Sequence, residues 1–220
     1  YPEHGCAGGL QGRLMIFNLG SINADYFYDL PRLVAPGETL AAIGYASGLG
    51  GKGANQSVAA ALGGAEVRHI GAVGPDGDWA VDCLRAFGVN TGHIRHSHTP
   101  TAHAIVMVDQ HGENQIVVFP GANIDQSLEV IEGALIEGQP GDWLMLQNET
   151  SHQVEAATLA RSVGMNVAYS AAPFEVEAIE AVLPYVTLLI MNAVEAEQFT
   201  NMTGQDPRSL QEGQLLITKG

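Results

Sequence analysis

The sequence predicts an α/β protein in which a central sheet of parallel type is sandwiched by helices and carries a small β-sheet lid. Three observations lead there. Short continuous apolar runs alternate with helix-forming stretches along most of the chain, as they do where strands of a parallel sheet are buried on both faces. Two pairs of β-rich segments interrupt that alternation with no helix between the members of each pair, as antiparallel strands do. Glycine-rich or Asn- and Asp-bearing segments follow several of the apolar runs, at the strand ends where open α/β sheets bind ligands.

Taken in order, Leu14 to Leu19 (L-M-I-F-N-L) is a buried strand ended by Gly20. Tyr26 to Leu30 and Thr39 to Tyr45 read as strands around the turn Pro36-Gly37-Glu38. Asn55 to Leu62 (N-Q-S-V-A-A-A-L) forms a helix. Strand Val67 to Val73 then leads through the turn Gly74-Pro75-Asp76-Gly77 to helix Trp79 to Phe87, which Gly88 stops. A second strand pair, Ala102 to Val108 and Gln115 to Phe119, joins the first in one flap, so the lid strands lie within 26–46 and 102–119. The alternation resumes with helix Ser127 to Glu137, strand Trp143 to Gln147, helix Gln153 to Ser162 and strand Val167 to Ser170. It continues with helix Glu175 to Leu183, strand Val186 to Met191, helix Ala193 to Thr200 and strand Leu215 to Thr218. Trp79 and Trp143 are expected in the core, where a helix and a buried strand need bulk. His93, His96, His98 and His103 match no helical metal-ligand spacing and are expected to be solvated loop side chains.

Composition narrows the function. A chain of 220 residues with 46% hydrophobic and 15% charged residues is globular, one α/β domain over 14–220 behind a flexible leader or expression remnant over 1–13. Nine basic against 24 acidic residues, a formal charge of -15, would repel nucleic acid and anionic membrane surfaces. Two cysteines, Cys6 and Cys83, have no metal-ligand spacing and are too few for a disulfide framework, which points to a reducing cytoplasm. No apolar run approaches the ~18 residues of a membrane span.

The most informative stretch is Gly48-Leu49-Gly50-Gly51-Lys52-Gly53-Ala54-Asn55-Gln56-Ser57. Four glycines in six positions are costly in backbone entropy and permit close backbone approach. The helix behind them turns its amide end toward the loop, a setting for a polar or anionic ligand. The chain has only two lysines, Lys52 and Lys219, both beside glycines. The spacing is not that of a P-loop. Further strand ends carry Gly20-Ser21-Ile22-Asn23-Ala24-Asp25, an Asx turn or a ligand segment, and Gln147-Asn148-Glu149, a carboxylate at the same sheet edge. Asn192-Ala193-Val194-Glu195 has the spacing of a helix capping box.

Together, Gly20 to Asp25, Gly50-Gly51-Lys52-Gly53-Ala54-Asn55-Gln56, and Asn192 with Glu195 closely resemble the ribokinase branch of the PfkB-type sugar kinases. Pro36-Gly37-Glu38-Thr39 and Pro120-Gly121-Ala122-Asn123 fit the same pattern, over about Leu14 to Gly220. The resemblance implies a ribokinase-like fold and ATP-dependent phosphorylation of a small sugar, ribose to ribose 5-phosphate ahead of fructose, 2-keto-3-deoxygluconate or adenosine. It implies that Asn23, Asp25, Gly51, Lys52, Asn55 and Glu149 hold the sugar. It further implies that Asn192, Glu195, Thr218 and Gly220 serve the nucleotide, with Glu195 near Mg2+. ATP, Mg2+ and K+ are the implied cofactors, and a homodimer through the lid is the implied assembly. The family's base is an Asp in a G-A-G-D-like loop, which is expected beyond Gly220. The chain is therefore expected to be a C-terminally truncated kinase, not catalytically competent alone, with a sugar-binding fragment or sensor as the alternative.

Overall fold

The computed structural model describes residues 14–209 and 213–219. Seven parallel strands form the large sheet: β1 (Met15–Leu19), β4 (Glu66–Val73), β5 (Asn90–His96), β8 (Trp143–Gln147), β9 (Asn166–Ser170), β10 (Leu188–Asn192) and β11 (Gln214–Thr218). Their order across the sheet is β11-β10-β9-β8-β1-β4-β5, so the chain starts near the middle and winds outward in both directions. Helices α1 (Lys52–Leu62) and α2 (Asp78–Ala86) pack on one face through Ala54, Ala80, Val81 and Leu84 against Val67 and Val73. Helices α3 (Leu128–Leu135), α4 (Gln153–Ser162), α5 (Val176–Val182) and α6 (Ala193–Thr203) cover the other. Phe17, Leu19, Leu144, Leu146, Tyr169 and Phe199 are among the fully buried side chains of that second layer. Residues alternate faces along each strand, so Phe17 and Leu19 look to one layer, Ile16 and Asn18 to the other. Among the described residues no helix is long and apolar enough to cross a membrane.

The small sheet has the order β3-β2-β6-β7, with β2 (Asn23–Leu30), β3 (Gly44–Gly50), β6 (Ala102–Asp109) and β7 (Asn114–Phe119). It leaves the large sheet directly, because β2 starts four residues after β1 ends. Its hairpins are antiparallel, but they meet through a parallel pair, β2 with β6, which the expectation of a purely antiparallel flap did not contain.

Four local expectations are corrected. The strand expected at Thr39 to Tyr45 lies instead at Gly44–Gly50, overlapping the start of the glycine-rich stretch at Gly48. Two of its glycines are required because Asp25 and Asp29 of β2 lay their carboxylates over Gly50 and Gly44, in the space a Cβ would need. Asn90–His96 is an edge strand, too polar to show as an apolar run. His93 and His96 therefore stand on a strand rather than in a loop, His96 Nε2 lying 2.7 Å from Asp78 and His93 3.6 Å from Glu137. His103 is on β6, edge-on to Tyr26 and tilted against Phe119, with ring centroids 6.0 and 5.2 Å away. Trp79 is 39% exposed, because the buried face of α2 is made by Ala80, Val81 and Leu84.

Candidate functional site

The site is assembled at the carboxyl ends of β1 and β8 and the start of α1, under the base of the small sheet. Gly51 caps α1 with φ at 91°, a left-handed value that favours glycine, and Lys52 is the first helical residue. The helix start runs against the segment after β1: Ala54 N donates to Ser21 O at 2.8 Å, and Gly53 N to Ser21 Oγ at 3.1 Å. That approach requires glycine on both sides, since a Cβ on Gly20 would lie 2.5 Å from Gly53 Cα.

Glu149, just beyond β8, is drawn into this junction. Its Oε2 accepts from Lys52 N at 3.1 Å and from the Ser21 hydroxyl, while Oε1 pairs with Lys52 Nζ at 2.9 Å. The Glu149 side chain is 16% exposed and that of Lys52 41%, so the pair sits near the surface rather than in the core. Asp25 completes the cluster from β2. Its Oδ1 is buried without a hydrogen-bond partner among the described residues. Burial foremost, and then the negative charge of Glu149, raise the Asp25 pKa above the ordinary carboxylate range, and Lys52 offsets part of that.

Asn23 is buried, and its Oδ1 accepts from Asn123 Nδ2 at 2.8 Å. Asn123 Oδ1 in turn accepts from Ile22 N at 2.9 Å, so Pro120-Gly121-Ala122-Asn123 clamps the strand that carries Asp25. Asn23 Nδ2 keeps no partner among the described residues and is available to a ligand. Asn55 is exposed on the first turns of α1.

The other expected set lies at the ends of β10 and β11, on the same edge of the sheet. Asn192 and Glu195 form a complete capping box: Glu195 N donates to Asn192 Oδ1 at 2.9 Å, and Asn192 N to Glu195 Oε2 at 2.8 Å. Thr218 is exposed and in register with Asn192. Gly220 lies outside the described residues, as do residues 1–13.

Sequence reasoning assigned no role to Ser21, although it joins Glu149 to α1. It also missed a set of buried polar residues directly below the junction: Asn18, Ser57, His69 and Gln147, each fully buried. A histidine inside the apolar run Val67 to Val73 was the available signal.

The fold and this cluster define a lidded α/β protein whose carboxylates, amide and lysine converge at the carboxyl edge of its parallel sheet. The chain belongs to the pfkB family of carbohydrate kinases, whose model matches residues 13–220. It is 36% identical over 196 residues to a ribokinase of Haemophilus influenzae, covering 87% of this chain and 64% of that protein. It resembles a ribokinase of Cryptococcus neoformans solved with ADP, at 30% identity and a TM-score of 0.73, covering 90% of this chain and 64% of the other. It also resembles an Arabidopsis thaliana ribokinase solved with ribose and ATP, at 25% identity and a TM-score of 0.73, covering 93% and 71%. The chain thus spans about two-thirds of the length of these relatives.

Proposed function

We propose that this chain is the sugar-binding part of an ATP-dependent sugar kinase, with ribose, converted to ribose 5-phosphate, as its substrate. The observation that carries the reading is the Asp25 carboxylate, held beside Glu149 and Lys52 with a buried oxygen that no described residue satisfies. A buried acceptor without a donor is costly, and sugar hydroxyls are donors of the right kind. Asn23, Asp25, Gly51, Lys52, Asn55 and Glu149 hold the sugar: the carboxylates accept from its hydroxyls, while Lys52 and Asn23 donate. The relatives are named ribokinases, and one was solved with ribose and ATP, which supports ribose over the other sugars.

Asn192, Glu195, Thr218 and Gly220 are proposed to serve the nucleotide. Glu195 Oε2 is engaged by the helix cap, and no hydrogen bond among the described residues engages Oε1. One carboxylate oxygen suits a Mg2+ ion that keeps most of its waters and binds chiefly to phosphates. Bound ATP would supply the phosphoryl group, and this chain's part is to align the acceptor hydroxyl and, through the lid, to exclude water. The base that takes the hydroxyl proton is proposed to lie outside residues 1–220. A homodimer through the lid belongs to the same reading, supported by edge strand β7, where Ile116, Val117, Val118 and Phe119 are 41 to 59% exposed.

Thermal unfolding with a panel of ribose, fructose, 2-keto-3-deoxygluconate and adenosine tests the substrate. Ribose at about a hundred times its dissociation constant should add ~2.7 kcal/mol of stability. A shift with adenosine or fructose and none with ribose overturns the ribose assignment, and no shift with any of them overturns the sugar site. ATP-dependent phosphorylation by the 220-residue chain itself would place the base within it instead.

A further inference from the structure

Asn18 of β1 and His69 of β4 are register partners in adjacent parallel strands and point to the same face of the sheet, beneath α1. Their neighbours on that face, Ile16, Val67, Val73, Ala54 and Val58, are apolar, yet at the carboxyl end the layer turns polar and stays fully buried. Hydrogen bonds run through it in one direction. Asn18 Nδ2 donates to Gly53 O and to Ser57 Oγ, both at 2.8 Å. Ser57 has one proton, and it goes to His69 Nδ1, 2.8 Å away. That fixes the neutral tautomer with its hydrogen on Nε2, which donates to Gly20 O at 3.1 Å. Asn18 Oδ1 accepts from Gln147 Nε2 at 2.8 Å, and Gln147 also holds Gln56 at 2.6 Å.

The ends of this chain of bonds are backbone groups or neighbours of the three residues that meet above it. Gly20 precedes Ser21, Gly53 follows Lys52, and Gln147 stands two before Glu149. We propose that Ser57 and His69, with Asn18, are positioning residues of the sugar site: they hold the Gly20 and Gly53 carbonyls at a fixed separation, and through them set Lys52 against Glu149. The bonds made by Asn18, Ser57 and His69 favour a single arrangement of this layer, whereas apolar packing alone tolerates small slides of one segment over another. Gln147 Oε1, at the far end, is buried without a partner among the described residues. The proposal rests on the sugar-site reading for its consequence, but its geometry can be tested without a sugar.

The two lysines make this possible. Lys52 is paired in the cluster, and Lys219 is exposed beyond β11, so acetylation of Lys52 relative to Lys219, read by peptide mass spectrometry, reports whether the Lys52 to Glu149 pair is held. Ser57→Ala removes one oxygen and strands His69 Nδ1, and His69→Phe fills the ring's volume while removing both of its bonds. Each should raise the relative acetylation rate of Lys52 about fivefold, the size of one lost buried hydrogen bond, and weaken ribose binding by a similar factor. The double variant should be no worse than either single, because both cut one path. Lowered melting temperatures with an unchanged lysine ratio in both single variants would overturn the proposal, leaving the set a purely structural core. So would effects that simply add in the double variant. If the ratio rises as expected while the unmodified chain binds no sugar, positioning stands and the substrate reading falls.

Discussion

Two sets of polar residues stand at the carboxyl edge of one parallel sheet, and they differ in what they leave over. Asn192 and Glu195 satisfy each other's backbone amides within one helix turn, each through a side-chain oxygen of the other. Asp25, Lys52 and Glu149 come from β2, α1 and the end of β8, and they leave a buried carboxylate oxygen without a donor. A local motif closes on itself, whereas a cluster gathered from distant segments keeps unmet capacity that only a ligand supplies. The same sequence signal, an Asn or Asp with a nearby carboxylate after a strand, therefore means different things at the two places.

The comparison breaks most severely at Gly53. A Cβ there would lie 2.5 Å or less from the Gly20 backbone, and backbone cannot rotate aside. Gly53→Ala should cost about 3 kcal/mol, in the upper range for overpacking, and abolish sugar binding. Denaturant unfolding measures the first and calorimetry the second. Retention of both would mean that α1 and the Gly20 segment slide freely.

The foundation of the first set also carries an acid sensitivity. Burial lowers the His69 pKa from 6.5 to about 4, with the bond to the Gly20 carbonyl opposing the shift slightly. The unfolded chain therefore takes up this proton at a higher pH than the folded one. Stability from this group is complete above about pH 6.5, falls as the pH drops toward 4, and is ~3 kcal/mol lower beyond that. Asp25, with its raised pKa, works in the opposite sense, so the His69 share is read as the difference between wild type and His69→Phe in urea midpoints near pH 7 and about pH 4. Equal pH dependence in both would show that His69 is not held neutral.

Asp25→Asn separates function from stability within the first set. The carboxylate is destabilised by burial and by Glu149, so neutralising it should leave the melting temperature near pH 7 unchanged or slightly higher. Sugar affinity should drop about tenfold or more, as expected for a hydrogen bond to a charged acceptor. A melting temperature that falls in step with affinity would make Asp25 structural.

How much of this could be read beforehand follows from how local each signal is. Trp143–Gln147 and Gln153–Ser162 have the bounds that the sequence predicts, because an unbroken apolar run and its following helix depend on neighbouring residues only. Gly44–Gly50 and Asn90–His96 escaped because one strand gives up side chains to admit Asp25 and Asp29 and the other lies at a polar edge. Asp25 and Glu149 were legible as charged groups at strand ends, and Lys52 as a lysine in a glycine-rich loop ahead of a helix. Ser21, Asn18 and His69 were not, since their roles arise from register between β1, β4 and α1, which no stretch of sequence carries alone.

The smallest effect belongs to the second set. Asn192→Ala removes the acceptor for Glu195 N and opens the capping box, which should cost about 1 kcal/mol. Sugar affinity should not change, because β9 separates β10 from β8 and no bond of the capping box reaches the Asp25 cluster. Thermal unfolding with and without ribose reads both quantities in one titration. This variant is the mirror of Asp25→Asn: one loses stability and keeps the ligand, the other keeps stability and loses it. A loss of ribose affinity in Asn192→Ala would mean that the two ends of the sheet edge are coupled, and that the capping box helps to shape the sugar cleft as well as its own helix.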